Sequence, residues 1–370
     1  MSGRERWNRI FNFQKVDRIF NCEFGWWTET LERWHKEGLP KEIKTNGDGD
    51  KFFKFDPIGG VPVNMGLIPH FEEKIIDETE RYIIKQESDG VIKKIFKSEI
   101  QTIPHYIKFP IENRDDWDNF KERLKPDISK RYPDDETWKK LKNQWENRDY
   151  PLGINVGSLL GWIRNWMGFE KCAIAFYDEP ELIENIMDHI VNFVLTLIEK
   201  ALEEINHIDF ALFWEDIAFK TGPMISPKHF AQFIVPRYKK ITDRLKKAGI
   251  NIVIVDCDGN INQLVPLWLE GGVNVMFPLE INSGSDPVIL RKKYGNKVLL
   301  KGGFDKKALI HSKKAIDKEF ERIKETVNLG GFIPHVDHRV PADVSYENYI
   351  YYLKKKKEIF NIFDWEIPEV

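Results

Sequence analysis

Residues 253–260 read VIVDCDGN, an apolar run that stops on two carboxylates, Asp256 and Asp258, one residue apart. Alternate residues of a strand share a face, so this pair points one way and Cys257 the other. The pattern recurs along the chain. Glu23 ends RIFNCEFG, Glu215 and Asp216 follow FALFW, Glu280 follows NVMFPL, Asp305 follows KVLLKGGF, and His335 and His338 close GFIPHVDH. GINVGSL supplies one more strand candidate. Amphipathic segments separate the runs, such as PELIENIMDHIVNFVLTLIEKALEEI, residues 180–205. Strands alternating with long helices mean parallel strands joined by crossovers. In an eight-stranded parallel barrel the C-terminal strand ends converge on one mouth, which gathers these polar groups at a shared site. An open doubly wound sheet would instead carry a glycine-rich phosphate turn after its first strand, and CEFGWWTET is not one.

The expectation is therefore a TIM (β/α)8 barrel spanning residues 1–370 as a single domain. One departure interrupts it: RYIIKQESDGVIKKIFK alternates around Asp89-Gly90 and reads as a β-hairpin, residues 80–97, inserted after the first strand. NGDGDKFFKFD resembles a calcium loop superficially but lacks the spaced ligands and closing Glu, so it reads as a turn-rich connector. In the helix KHFAQFIVPRYKKITDRLKKAG, Ser226 is the expected N-cap, Pro227 the first helical residue and Gly249 the stop, with a kink at Pro236.

Composition narrows the partners. Lys+Arg of 56 against Asp+Glu of 59 leaves a formal charge of -3, with no electrostatic footprint for nucleic acid or an acidic membrane surface. No stretch approaches the roughly 20 apolar residues of a membrane span. Three cysteines, Cys22, Cys172 and Cys257, fit a reducing compartment, so the expected location is cytoplasmic. A small-molecule or protein partner follows, and a homo-oligomer is compatible with this reading.

Each candidate has a structural alternative. Strand-end carboxylates also cap helices or hold arginines. His338 could bond a backbone carbonyl or Asp337, and the tryptophans of GWWTETLERWHKEG could be core rather than pocket.

The segments GWWTETLERWHKEGLP, FWEDIAFKTGPMISPKHF, VIVDCDGN, FPLEINSGSD, KGGFDKKAL and GGFIPHVDHRVPADVSYENY together resemble the uroporphyrinogen decarboxylase superfamily over nearly the whole chain. They look closer to its corrinoid-dependent methyltransferase branch. The decarboxylase grips porphyrin carboxylates with an arginine-bearing segment of the type RQAGR, and here that place reads NCEFGWWTET. Glutamate and tryptophan cannot make bidentate bonds to carboxylates. Zinc-dependent thiol methyltransferases of the family use a His-x-Cys pair and a later Cys. The matching positions here are Asp256, Asp258 and His338, with no cysteine among them. The resemblance thus implies a harder donor set of two carboxylates and one imidazole, which admits zinc.

What it implies for function is O-demethylation: transfer of a methyl group from a small donor, a methoxylated aromatic compound, to a separate corrinoid protein. No D-x-H-x-x-G attachment pattern is present, so the corrinoid arrives on that partner. Glu215, Asp256 and Asp258 are the expected catalytic groups, and Asp256, Asp258 and His338 the expected metal ligands, with Glu215 a fourth ligand or a proton donor; the alternative is a site without metal in which Asp256 or Glu215 protonates the leaving oxygen. Glu23, Trp26, Trp27, Trp214, Glu280 and His335 are the expected donor-binding residues. The alternatives are a thiol methyltransferase of the coenzyme M type, a decarboxylase-like enzyme and a non-catalytic binding barrel.

Overall fold

The computed structural model describes residues 1–97 and 104–368. Its centre is a curled, wholly parallel sheet of seven strands among the described residues: β1 (Gly59–Gly60), β2 (Leu152–Asn155), β3 (Phe210–Trp214), β4 (Val253–Asp256), β5 (Val275–Phe277), β6 (Leu299–Phe304) and β7 (Phe332–Val336), paired in that order. Six of the seven expected runs are strands; RIFNCEFG is the exception. Residues 18–25 form no ladder; a parallel bridge between Trp26 and Val340 and a bond from Val336 N to the Glu23 carboxylate tie this segment to the end of the sheet. The eighth stave is therefore an extended segment held by side chains. Phe20, Cys22 and Phe24 still alternate inward from it, packing with Phe210, Ile254, Val275, Phe277, Leu299 and Ile333.

Strand parity divides the apolar residues into two cores. Ile252 and Ile254 join the interior cluster just named, whereas Val253, Val255 and Cys257 pack against the surrounding helices. The helix Pro180–Glu204 shows the outer arrangement: Ile183, Met187, Ile190, Val194, Leu197 and Ile198 are buried at spacings of three and four. Each such side chain contributes roughly 1.5–3 kcal/mol by leaving water.

The hairpin about Asp89-Gly90 belongs to something larger. Tyr82–Gln86 and Ile92–Phe96 pair antiparallel, and Lys74–Glu78 and His105–Lys108 flank them, making a four-stranded sheet that follows β1 rather than the first extended segment. The NGDGDKFF stretch is also not a connector. Asn46–Phe52 is a helix, opened by a capping box in which Thr45 accepts from the Asp48 backbone and Asp48 reaches back.

Ser226 caps its helix by accepting from His229 N, and Gly249 stops it at φ +84°. The kink expected at Pro236 takes the form of a π-helical turn, Phe230–Ile234, immediately before the helix Val235–Lys247. Proline has no N–H to donate, and widening the preceding turn removes the clash of its ring. No helix among the described residues is long and apolar enough to cross a membrane.

Candidate active site

Three of the strand-end acids and bases meet. One ligand atom each from Asp258, Glu280 and His338 lies within 4.8 Å of the other two, the only such trio found among the described residues. Asp258 stands one pleat above Asp256 on the inward face. Glu280 follows Leu279, whose φ of 67° turns the chain at the end of β5. His338 follows β7.

His338 Nε2 lies 3.2 Å from Asp258 Oδ2, while Asp258 Oδ1 is buried with no partner. Burial disfavours the imidazolium, but the bond and charge of Asp258 outweigh it, and the His338 pKa is raised. Glu280 accepts from Lys306 Nζ at 2.8 Å and from Gly259 N at 3.0 Å. Burial works against its ionised form; the Lys306 and Gly259 bonds prevail and its pKa is lowered. Gly259 explains the glycine of VIVDCDGN: its φ is +84°, and a Cβ there would meet Ala218 O at 2.4 Å.

Aromatic rings roof the trio. Trp27 is 43% exposed and stacks on His338 with ring centres 5.6 Å apart, and Phe24 meets the same imidazole edge-on at 5.4 Å. The guanidinium of Arg339 sits 5.0 Å over Trp27. Across the mouth, Arg164 lies 5.7 Å over Trp214 and 3.5 Å from Asp216.

Asp256 faces the interior but is not one of the trio, so Glu280 takes the place expected for it beside Asp258 and His338. Burial, then the charge of Asp258, pushes its pKa up to about 7. That makes it an acid poised to give or take a proton near neutrality.

Other expected site residues point elsewhere. Glu215 lies on the outward face, fully buried, and accepts from Leu159, Leu160 and Gly161 N, Ser158 Oγ and Tyr238 OH at 2.6–3.0 Å. It caps the helix Leu160–Met167, where backbone N–H groups and the helix dipole favour a carboxylate. Gly161 makes the approach feasible, since a Cβ there would sit 2.1 Å from Glu215 O. Glu215 is therefore neither a fourth ligand nor an accessible proton donor.

Glu23 likewise faces outward. It takes Lys356 Nζ at 2.7 Å, Tyr352 OH at 2.8 Å and Val336 N at 3.2 Å, so no oxygen is left for a donor molecule. Trp26, 2% exposed, packs among Trp34, Phe53, Phe55 and Tyr349 as core. His335 is fully buried below the mouth, with its Nε2 3.2 Å from Lys301 Nζ. Burial, then the Lys301 charge, holds its pKa well below the usual value.

Lys301 and Asp50 were not anticipated. Lys301 is the one charged residue at an inward position of VLLKGGF, which is a signal the sequence carries. Asp50 sits on the short helix Asn46–Phe52 with its side chain reaching solvent, and partial burial followed by the charge of Glu23 raises its pKa to about 6. Reading that stretch as a connector concealed it.

A curled parallel α/β sheet with its polar groups gathered at the C-terminal strand ends is the architecture of a barrel-type enzyme site. The chain belongs to the uroporphyrinogen decarboxylase (URO-D) family, whose model matches residues 97–358. It is 22% identical over 191 residues to a uroporphyrinogen decarboxylase from Aliarcobacter butzleri (strain RM4018), a match covering 52% of this chain and 53% of that protein. The chain thus aligns with about half the length of that relative. A solved methyltransferase from Methanosarcina mazei shares the fold, with a TM-score of 0.63 and 14% identity over 97% of this chain and 99% of that one. A B12-independent methionine synthase from Shewanella sp. W3-18-1 aligns over 82% of this chain and 76% of that one at 14% identity, with a TM-score of only 0.39.

Proposed function

We propose that the protein is a methyltransferase that removes a methyl group from a small methoxylated aromatic donor and passes it to a corrinoid carried by a separate protein. The observation that carries this reading is the trio Asp258, Glu280 and His338 beneath the exposed ring of Trp27, with Asp256 one pleat below. Breaking an aryl methyl ether leaves charge on the oxygen, and the site must stabilise it as it develops.

The residues fit a divalent metal such as zinc. Asp258 Oδ1 is a buried acceptor with nothing to accept from, and one imidazole with two carboxylates is a sufficient donor set with a fourth position open. Ligand oxygens and nitrogens around tetrahedral zinc stand about 3.4 Å apart, so rotamer adjustments close the present spacing. A metal held there would supply Lewis acidity to the departing oxygen. Lys306 fixes Glu280 from behind, and Asp258 fixes His338 through Nε2 until a metal takes that nitrogen. Asp256 would deliver a proton to the phenolate oxygen. Trp27, Phe24 and Trp214 would flank the donor ring.

The test is reconstitution. Chain, reduced corrinoid protein and 4-methoxybenzoate together should methylate the corrinoid, seen in its visible spectrum, and each component alone should not. A full set of components that leaves the spectrum unchanged with methoxybenzoates, methoxyphenols and quaternary methylamines alike would retire the reading.

A further inference from the structure

Inside the sheet, one level below the trio, lies a cation that no ion pair explains. Lys301 points inward from β6, in register with Ile333 of β7, and is 9% exposed. Its Nζ sits 4.0 Å over the ring of Phe277. Among the described residues its one hydrogen-bond partner is His335 Nε2 at 3.2 Å. His335 Nδ1 lies 2.8 Å from Val336 O, which accepts only from a ring N–H, so Nε2 carries the lone pair that Lys301 donates to. Two of the three ammonium donors are left unspent in a place almost closed to water. Leaving them so costs free energy.

The surroundings say what the donors meet. Trp214, Asp256 and Phe277 occupy one row across β3, β4 and β5, with Lys301 continuing it on the far side of Phe277. The row at the level of Lys301 thus holds two aromatic rings and the Asp256 carboxyl group, and the metal-ligating groups stand one pleat higher, roughly 6.6 Å along the strand.

We infer that Lys301 binds an anionic oxygen of the ligand, a ring carboxylate, at the floor of the mouth, so that the substrate class is an aromatic donor bearing a carboxylate. This rests on the mouth being the donor site, and it assigns one end of the ligand: the carboxylate lies against Lys301, below Asp258, Glu280 and His338. Burial lowers the Lys301 pKa, Cys22, Asp256 and Glu23 offset part of that, and a bound carboxylate would add to the offset.

The experiment uses benzoate and benzamide, which have one shape and differ in charge, titrated calorimetrically into the full chain. Neither carries a methyl ether, so the result stands apart from whether methyl transfer occurs. Wild type should bind benzoate at least tenfold more tightly than benzamide. Lys301→Met should lose tenfold or more for benzoate and stay within about twofold for benzamide. It should melt no lower than wild type, because it removes an uncompensated buried charge; a merely structural lysine would lower the melting temperature instead. Should that variant not fold, Lys301→Gln, which keeps a donor without the charge, gives the same comparison. Equal binding of benzoate and benzamide by wild type, or an unchanged benzoate affinity in the folded variant, overturns the assignment.

Discussion

Glu215 and Asp258 each end a similar six-residue stretch, FALFWE and VIVDCD, yet their surroundings are opposite. Glu215 faces the helices, is wholly buried, and has all its acceptor capacity taken by donors from residues 158–161 and Tyr238. Asp258 faces the mouth, its side chain is 37% exposed, and one of its two oxygens has no partner. Glu23 resembles the first and Glu280 the second, although Glu280 is partly occupied by Lys306. The side of the sheet on which a carboxylate falls decides whether it finds fixed donors or a vacancy for a ligand. Saturated carboxylates build the fold; unsaturated ones are left to chemistry.

The largest effect should come from the outward class. Glu215→Ala leaves buried N–H groups and the Tyr238 hydroxyl without an acceptor and should cost about 3–5 kcal/mol in urea unfolding. An unchanged midpoint together with lost activity would place Glu215 in the site and break the comparison. The tryptophans sharpen it next. Trp26→Ala should also cost about 3–5 kcal/mol, as a large core ring does, whereas Trp27→Ala should stay within about 1 kcal/mol while weakening donor binding.

For the inward class the readout changes. Wild type purified without chelator should carry zinc in elemental analysis, and His338→Ala and Asp258→Asn should each unfold within about 1 kcal/mol of wild type but lose that zinc. Zinc retained by both variants would remove the trio from consideration. The smallest effect belongs to a surface carboxylate. Glu204 lies against Lys142 and Trp138 Nε1, and these bonds lower its pKa to about 2. A depressed pKa contributes stability that is present above the unfolded value near 4.5 and is lost as pH falls through the folded value. Glu204→Gln should therefore cost under about 1 kcal/mol at pH 7, discounted for its exposure, and the gap should close between pH 4.5 and about 2 in acid titrations of stability.

Much of this was legible beforehand. Strand parity separated Asp256 and Asp258 from Cys257 without any coordinates, and Ser226, Pro227 and Gly249 marked their helix because capping is local chemistry. Parity also applied to Glu215, one residue past the inward Trp214, but its donors come from Ser158 to Gly161, more than fifty residues away, and no local pattern reveals them. The extended segment 18–25 has strand composition but lacks a ladder, since pairing depends on neighbours rather than on its own residues. The outer strands of the inserted sheet escaped for the same reason: KIIDE and HYIK are short and unremarkable until Tyr82–Gln86 and Ile92–Phe96 lie between them. Two further features are legible in the sequence. T-x-x-D at Thr45 and Asp48 is a readable helix start, and a lysine at an inward position of an apolar strand is a readable anomaly.

The outward pair formed by Glu23 and Lys356 also bears on synthesis. Their 2.7 Å contact, with both side chains at most 1% exposed, joins positions 333 residues apart. While the chain emerges from the ribosome, Glu23 has no cation to neutralise it until the helix Tyr346–Ile359 is made. The stave carrying Phe20, Cys22 and Phe24 therefore cannot lock early, and contacts of such long sequence separation slow closure. The nascent sheet waits with one edge unsealed, which is the interval in which a chaperone would have most to protect.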